Sequence, residues 1–141
     1  MTSNKRLIAD ILRAGRRIAA ARDLMFSGHG LTSAQLRLLK TIRRLPVPFT
    51  MSALARAMGV ARQTVQPSVR KLEAAGLISL GEDRRDRKAQ LVVLTALGRA
   101  TLEQLLRLEE RWLADLTRGF NEQLLAQTAW VVRIVRERLT D

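Results

Sequence analysis

The stretch Met51-Ser-Ala-Leu-Ala-Arg-Ala-Met-Gly-Val-Ala-Arg-Gln-Thr-Val-Gln-Pro-Ser-Val-Arg-Lys-Leu72 decides the fold. Thr50 stands just before it as an N-cap, with Phe49 and Leu54 placed as a hydrophobic staple. The helix so started stops at Gly59, a residue able to take positive φ after a helix end. A second helix spans about 61–75 and ends at Gly76. Ala55 is small where two helices would cross closely, and Leu54, Met58, Val60 and Val65 fall at buried positions. Ser68 takes a position that is usually apolar, and Val69 replaces it. Two helices on a tight turn make a helix-turn-helix. Projected at about 100° per residue, Val65, Val69 and Leu72 share one face of the second helix. Gln63, Pro67 and Arg70 point the other way, flanked by Thr64, Gln66 and Lys71. Amides, hydroxyls and cations on one face suit base edges and phosphates. A solvated face is the plainer alternative. Pro67 removes one backbone bond and crowds the carbonyl of Gln63, which predicts a kink or an irregular first turn.

Outward from this stretch the chain reads as mainly helical. A first helix, about 3–26, repeats Leu7, Ile8, Ile11, Leu12, Gly15, Ile18 and Met25 at helical spacing, with Arg13, Arg16 and Arg17 on the other face. Residues 27–30 break it. Thr32 and Gln35 form a capping-box pair, with Leu31 and Leu36 as staple, and Pro46 and Pro48 end the helix region that follows. After Gly76 the period changes. Leu77–Leu80 and Gln90–Leu94 read as strands around a charged tip, Gly81-Glu-Asp-Arg-Arg-Asp-Arg-Lys88. Thr95 caps a helix of about 96–117, and Asn121, with Phe120 and Leu125 as staple, caps a last one of about 122–139. The fold class is therefore mainly α (α+β): a winged helix-turn-helix with a two-stranded wing, flanked by N- and C-terminal helices. The helix just before the hairpin gives the tip its alternative to a plain charged loop. Its arginines can enter a minor groove, and its acids can hold them by bidentate pairing.

Composition narrows the function. With 141 residues, 47% hydrophobic, one folded domain is expected, residues 1–141. No cysteine is present, which excludes disulfides, thiolate metal sites and a thiol switch. His29 is the only histidine, so no nucleophile–base pair is evident and no metal or cofactor is implied; the expectation is a non-enzyme. No apolar run reaches the ~18 residues of a membrane span, and the N-terminus lacks a signal-peptide pattern, so no membrane partner and a cytoplasmic location are expected. The net charge of +12 is uneven. Residues 1–60 hold 11 basic and 2 acidic groups, a net of +9; 61–100 hold 8 and 4, a net of +4; 101–141 hold 6 and 7, a net of −1. Arginines outnumber lysines 21 to 4. Such a balance suits a polyanion partner, with a merely arginine-rich genome as the plainer alternative.

Several motifs together resemble the MarR family of transcriptional regulators over nearly the whole chain. They are Leu31-Thr-Ser-Ala-Gln-Leu36, Leu54-Ala-Arg-Ala-Met-Gly-Val60, Arg62-Gln-Thr-Val65 and Leu72-Glu-Ala-Ala-Gly-Leu77. Most specific is the wing, Asp83-Arg-Arg-Asp-Arg-Lys-Ala89 followed by Leu94-Thr-Ala-Leu-Gly-Arg99. Lys88 replaces the last arginine of the family's Asp-x-x-Asp-Arg-Arg pattern, and Pro67 departs from the usual recognition helix. The resemblance implies a homodimer on a pseudopalindromic operator in double-stranded DNA. Arg87 matches the wing arginine that reaches the minor groove, and Asp83 and Asp86 match the acids that orient it. The recognition-helix contacts expected are Arg62, Gln63, Thr64, Gln66, Arg70 and Lys71; the wing contacts are Arg84, Arg85, Arg87 and Lys88.

The flanking helices carry the dimer expectation. Residues 31–99 form the DNA-binding core, and 1–30 and 100–141 the dimerisation helices. Leu102, Leu105, Leu106, Trp112, Leu113 and Leu116, then Leu124, Leu125, Thr128, Val132, Val135 and Leu139, offer more surface than a small winged core can cover. The resemblance also implies a small aromatic or anionic effector that releases DNA. Trp112, Trp130, Phe26, Phe49 and His29 are the aromatic candidates and Arg16 or Arg17 the cationic ones, although core, loop or solvated roles are the plainer readings; no ligand site is assigned. The leading function is a sequence-specific DNA-binding regulator, a repressor. The alternatives are a non-specific architectural DNA-binding protein and a winged-helix protein-interaction module.

Overall fold

Capping side chains start the helices where local chemistry calls for them. The structure is a computed structural model describing residues 2–86 and 88–140. In chain order it contains α1 (Ser3–Ser27), α2 (Ser33–Arg44), α3 (Met51–Met58), α4 (Arg62–Ala74), β1 (Ile78–Glu82), β2 (Gln90–Leu94), α5 (Ala96–Leu116) and α6 (Glu122–Glu137). The Thr32 hydroxyl accepts the Gln35 N–H at 3.1 Å while the Gln35 side chain accepts the Thr32 N–H at 2.9 Å. Thr50 accepts the Ala53 N–H at 3.1 Å, and Asn121 accepts the Leu124 N–H at 2.7 Å. Each cap satisfies a donor that the helix leaves orphaned, contributing about 1 kcal/mol.

Helix ends follow the same logic. Gly59 takes φ 68°, and the Val60 N–H reaches back to the Ala55 carbonyl at 3.0 Å. Gly76 takes φ 75°, and the Leu77 N–H reaches the Leu72 carbonyl at 3.0 Å. Both are Schellman closures, but only the second buries its following side chain. Leu77 is in the core, whereas Val60 is 41% exposed. The expectation that Val60 is buried is thus corrected: its backbone closes the turn and its side chain does not pack.

The structure divides into two compact units, 22–108 and 1–21 with 109–141. In the first, β1 and β2 pair antiparallel from Ile78 opposite Leu94 to Glu82 opposite Gln90. β1 runs two residues beyond the expected end at Leu80, because Gly81 and Glu82 find partners in Leu91 and Gln90. Leu77, expected as its first residue, belongs to the turn that closes α4. A bridge of Thr50 to Leu91 ties the start of α3 to the sheet. The core of this unit joins Phe26, Leu36, Leu39, Ile42, Met51, Leu54, Val69, Leu72, Ile78 and Val92. Leu102 and Leu105 are fully buried in the same cluster. They were expected on a dimer face; instead the first turns of α5 complete this core. α4 is helical through Pro67, which lies on its exposed side.

The second unit holds the first turns of α1, the end of α5 and all of α6. No described residue of α6 is buried. Leu12 is 57% exposed and Trp130 60%, and Leu124 and Leu113 are also open. Phe120, expected to staple α6, is exposed as well. No helix among the described residues is long and apolar enough to cross a membrane.

Candidate nucleic-acid interface

α4 is held by one side and displays the other. Val65, Val69 and Leu72 are buried, and α4 packs on α3 and β1. Arg62, Gln63, Thr64, Pro67, Arg70 and Lys71 are exposed, and Gln66 is half-buried. The structure thus gathers the expected recognition residues on the outer side of one helix, with Gln66 at its margin. An Arg70 guanidinium nitrogen lies 3.4 Å from a Glu73 carboxylate oxygen, both side chains partly exposed. Such a pair is weak and easily exchanged for another anion. Ala61, the N-cap of α4, supplies no side-chain cap.

The wing is shaped by its acids through the backbone. An Asp83 oxygen accepts the Arg85 N–H at 2.9 Å, and an Asp86 oxygen accepts the Lys88 N–H at 3.0 Å. Asp83 N–H donates to the Ala89 carbonyl at 3.2 Å, and Ala89 N–H to the Asp86 carbonyl at 3.0 Å. These are Asx-type turns, in which a short carboxylate bonds a backbone amide two residues on. The expected acid–arginine pairing involves Arg87, which lies outside the described residues; the bonds described for both acids go to backbone N–H groups. Arg84, Arg85 and Lys88 are exposed on the tip.

A contact at the wing base escaped sequence reasoning. The Thr95 N–H donates to the Leu77 carbonyl at 3.1 Å, and its hydroxyl donates to the Gly76 carbonyl at 2.6 Å while accepting the Gly98 N–H at 3.0 Å. Gly98 is buried, and a Cβ built on it would overlap the Leu77 carbonyl oxygen. The signal available was a glycine in the first turn of an otherwise strong helix. Arg56, exposed at the last turn of α3, was also passed over as a candidate phosphate contact.

A third feature lies between the end of α1 and the start of α2. Arg22, Asp23, Thr32, Ser33, Arg37 and Lys40 line a cleft of about 700 Å³. An Asp23 oxygen accepts the Ser33 hydroxyl at 2.5 Å and the Ser33 N–H at 3.2 Å. These two bonds, with Arg22 adding a smaller effect, hold the Asp23 carboxyl below the usual aspartate range. The Arg22 guanidinium sits 5.9 Å from the centre of the Phe26 ring. Of the aromatic effector candidates, Phe26 and Phe49 are core, Trp112 is half-buried, and His29 and Trp130 are exposed; Arg16 and Arg17 are exposed too.

A helix-turn-helix whose second helix is exposed on its outer side, followed by a two-stranded hairpin and a helix pressed onto the hairpin's base, defines a winged helix-turn-helix protein of the α+β class. Comparison with known proteins gives the family. The family model described as "MarR family" matches residues 29–89. An uncharacterized protein of Mycobacterium tuberculosis is 33% identical over 100 residues, covering 70% of this chain and 67% of its own. A crystal structure of a MarR family transcription regulator superposes with TM-score 0.85 at 22% identity, over 97% of this chain and 90% of that one. Streptococcus pneumoniae FabT, crystallised in complex with DNA, gives TM-score 0.81 at 18% identity, over 99% of both chains. The chain belongs to the MarR family, whose model matches residues 29–89, and its fold is that of MarR-family regulators of known structure.

Proposed function

We propose that this chain is a sequence-specific regulator that binds double-stranded DNA as a homodimer and represses transcription from a pseudopalindromic operator. One observation carries the reading: the buried Val65, Val69 and Leu72 fix α4 so that Arg62, Gln63, Thr64, Arg70 and Lys71 stand outward together. With Gln66 at the margin, this side enters the major groove and reads base edges and phosphates. Arg84, Arg85, Arg87 and Lys88 contact the neighbouring minor groove and backbone, while Asp83 and Asp86 hold the wing in shape. Residues 31–99 serve as the DNA-binding core, and 1–30 with 100–141 as the dimerisation helices. Open apolar side chains such as Leu12, Leu124 and Trp130 support a second copy as their cover. A small anionic effector that releases DNA is supported by the cations Arg22, Arg37 and Lys40 around the cleft at α2.

Fluorescence anisotropy on DNA upstream of the gene, with random competitor and a salt series, tests the reading. Tight binding that survives competitor is expected, with log affinity falling linearly in log salt. Binding that random DNA abolishes would favour an architectural role. No binding at low salt would overturn the reading. Sedimentation should show a dimer that Leu12→Asp weakens.

A further inference from the structure

Proline is the least favourable residue for a helix interior, yet Pro67 sits in the second turn of α4, and the helix continues to Ala74. It brings no N–H to the Gln63 carbonyl. It is not at the first helical position, where proline is favoured. Its ring is exposed, so it fills no gap in the core. Among the described residues, no core packing of its ring offsets the cost. Local rules broken without internal compensation tend to mark function.

Its surroundings say which function. At helical spacing Pro67 stands between Gln63 and Arg70 on the outer side of α4, with Thr64, Gln66 and Lys71 flanking. Those neighbours all carry hydrogen-bonding groups. Pro67 alone offers a rigid ring of methylenes with neither donor nor acceptor. In the major groove the one apolar group that base edges present is the C5-methyl of thymine. A pyrrolidine ring has almost no side-chain entropy to lose on contact, so it is preorganised for such packing.

We propose that Pro67 is a specificity-determining residue that reads one thymine in each half-site by packing on its C5-methyl group. The inference rests on the DNA-binding reading above. Removing a methyl from such a contact weakens binding about fourfold per half-site, the equivalent of about 0.8 kcal/mol.

The experiment uses the full chain and its Pro67→Ala variant. Each selects sites from a random duplex library. Affinity is then measured on the wild-type site with every thymine of one half-site replaced in turn by deoxyuridine. Wild type should lose about fourfold at one position. Pro67→Ala should bind thymine and deoxyuridine equally there, accept cytosine more readily at that position in selection, and keep its other preferences. Circular dichroism should show Pro67→Ala as helical as wild type. A deoxyuridine penalty that Pro67→Ala retains, or that Thr64→Ser abolishes instead, overturns the proposal while leaving the DNA-binding reading intact. So does the absence of any deoxyuridine penalty for wild type. Failure of wild type to enrich any sequence removes both.

Discussion

Gly98→Ala adds a single methyl group at the joint between wing and α5, and the structure gives the scale of the response. The new Cβ would overlap the Leu77 carbonyl oxygen and lie 2.9 Å from the Leu77 carbonyl carbon and 2.8 Å from the Leu94 Cδ1. Leu94 can rotate; the Leu77 carbonyl cannot, because it is backbone and accepts the Thr95 N–H at 3.1 Å. Relief requires the start of α5 to lift from the turn at Leu77. Overpacking of this kind costs about 1–3 kcal/mol. Loosening the Thr95 bonds to Leu77 and Gly76 adds about 1–2 kcal/mol. Alanine's better helix propensity returns about 1 kcal/mol. The net loss is about 1–4 kcal/mol, which at ~3 °C per kcal/mol lowers Tm by about 3–12 °C. Urea and thermal unfolding followed by circular dichroism, at one fixed protein concentration, measure it. Gly81→Ala is the control, since a Cβ there meets nothing within 4 Å, and it should be neutral or slightly stabilising. A Gly98→Ala protein as stable as wild type would refute the close approach at this joint.

Asp86→Ala should lower operator affinity several-fold by releasing the Lys88 N–H, whereas Asp86→Asn, which keeps an acceptor oxygen, should bind nearly as wild type; equal losses in anisotropy would instead favour charge pairing. Arg84→Ala and Arg85→Ala should each reduce the slope of log affinity against log salt by about 1, and an unchanged slope would remove them from the phosphate contacts. Asp23 is held below its ordinary value by Ser33, so its charged form stabilises the fold above about pH 3.9, and that contribution is lost as pH falls through the lower folded value. Asp23→Asn should therefore be less stable than wild type near neutrality, with the gap in urea midpoint closing in acid; a pH-independent gap would count against the Ser33 bonds. Thr50→Ala should cost about 1 kcal/mol in unfolding free energy through the lost Ala53 bond, and no change would mean that α3 starts without it.

What was legible in the sequence was local. Thr32 with Gln35, Thr50, Gly59 and Asn121 act within four residues of themselves, so spacing alone revealed their roles. What was not legible depends on what packs from a distance. Leu102 and Leu105 share the apolar stripe of α5 with Leu113 and Leu116, and periodicity says that a face is apolar but not what covers it. The first pair is sealed in the core of 22–108, and the second stands open. Val60 occupies a position where the motif favours an apolar residue, but its side chain stays out of the core after the αL turn at Gly59. For Asp83 and Asp86 the bonds to backbone N–H groups were not legible, because an Asx turn depends on dihedral angles that composition does not carry.

The charge of the chain and its reading surface are different things. The first sixty residues carry a net +9, but α4 and the wing lie in a segment that carries only +4. On α2 the cations Arg37, Arg43 and Arg44 are exposed on a helix that is neither α4 nor wing. Charges of this kind raise the local concentration of a polyanion and speed encounter, and they do so for any sequence. Discrimination needs groups fixed at atomic spacing, and among the described residues α4 supplies a row of them: two amides, a hydroxyl, a proline and three cations, over the buried Val65, Val69 and Leu72. On the proposed reading, neutralising an α2 cation should change how tightly the chain binds all DNA, whereas changing an α4 residue should change which DNA it prefers. The fold sets where α4 stands, and on the proposal above Pro67 belongs to the groups that set preference.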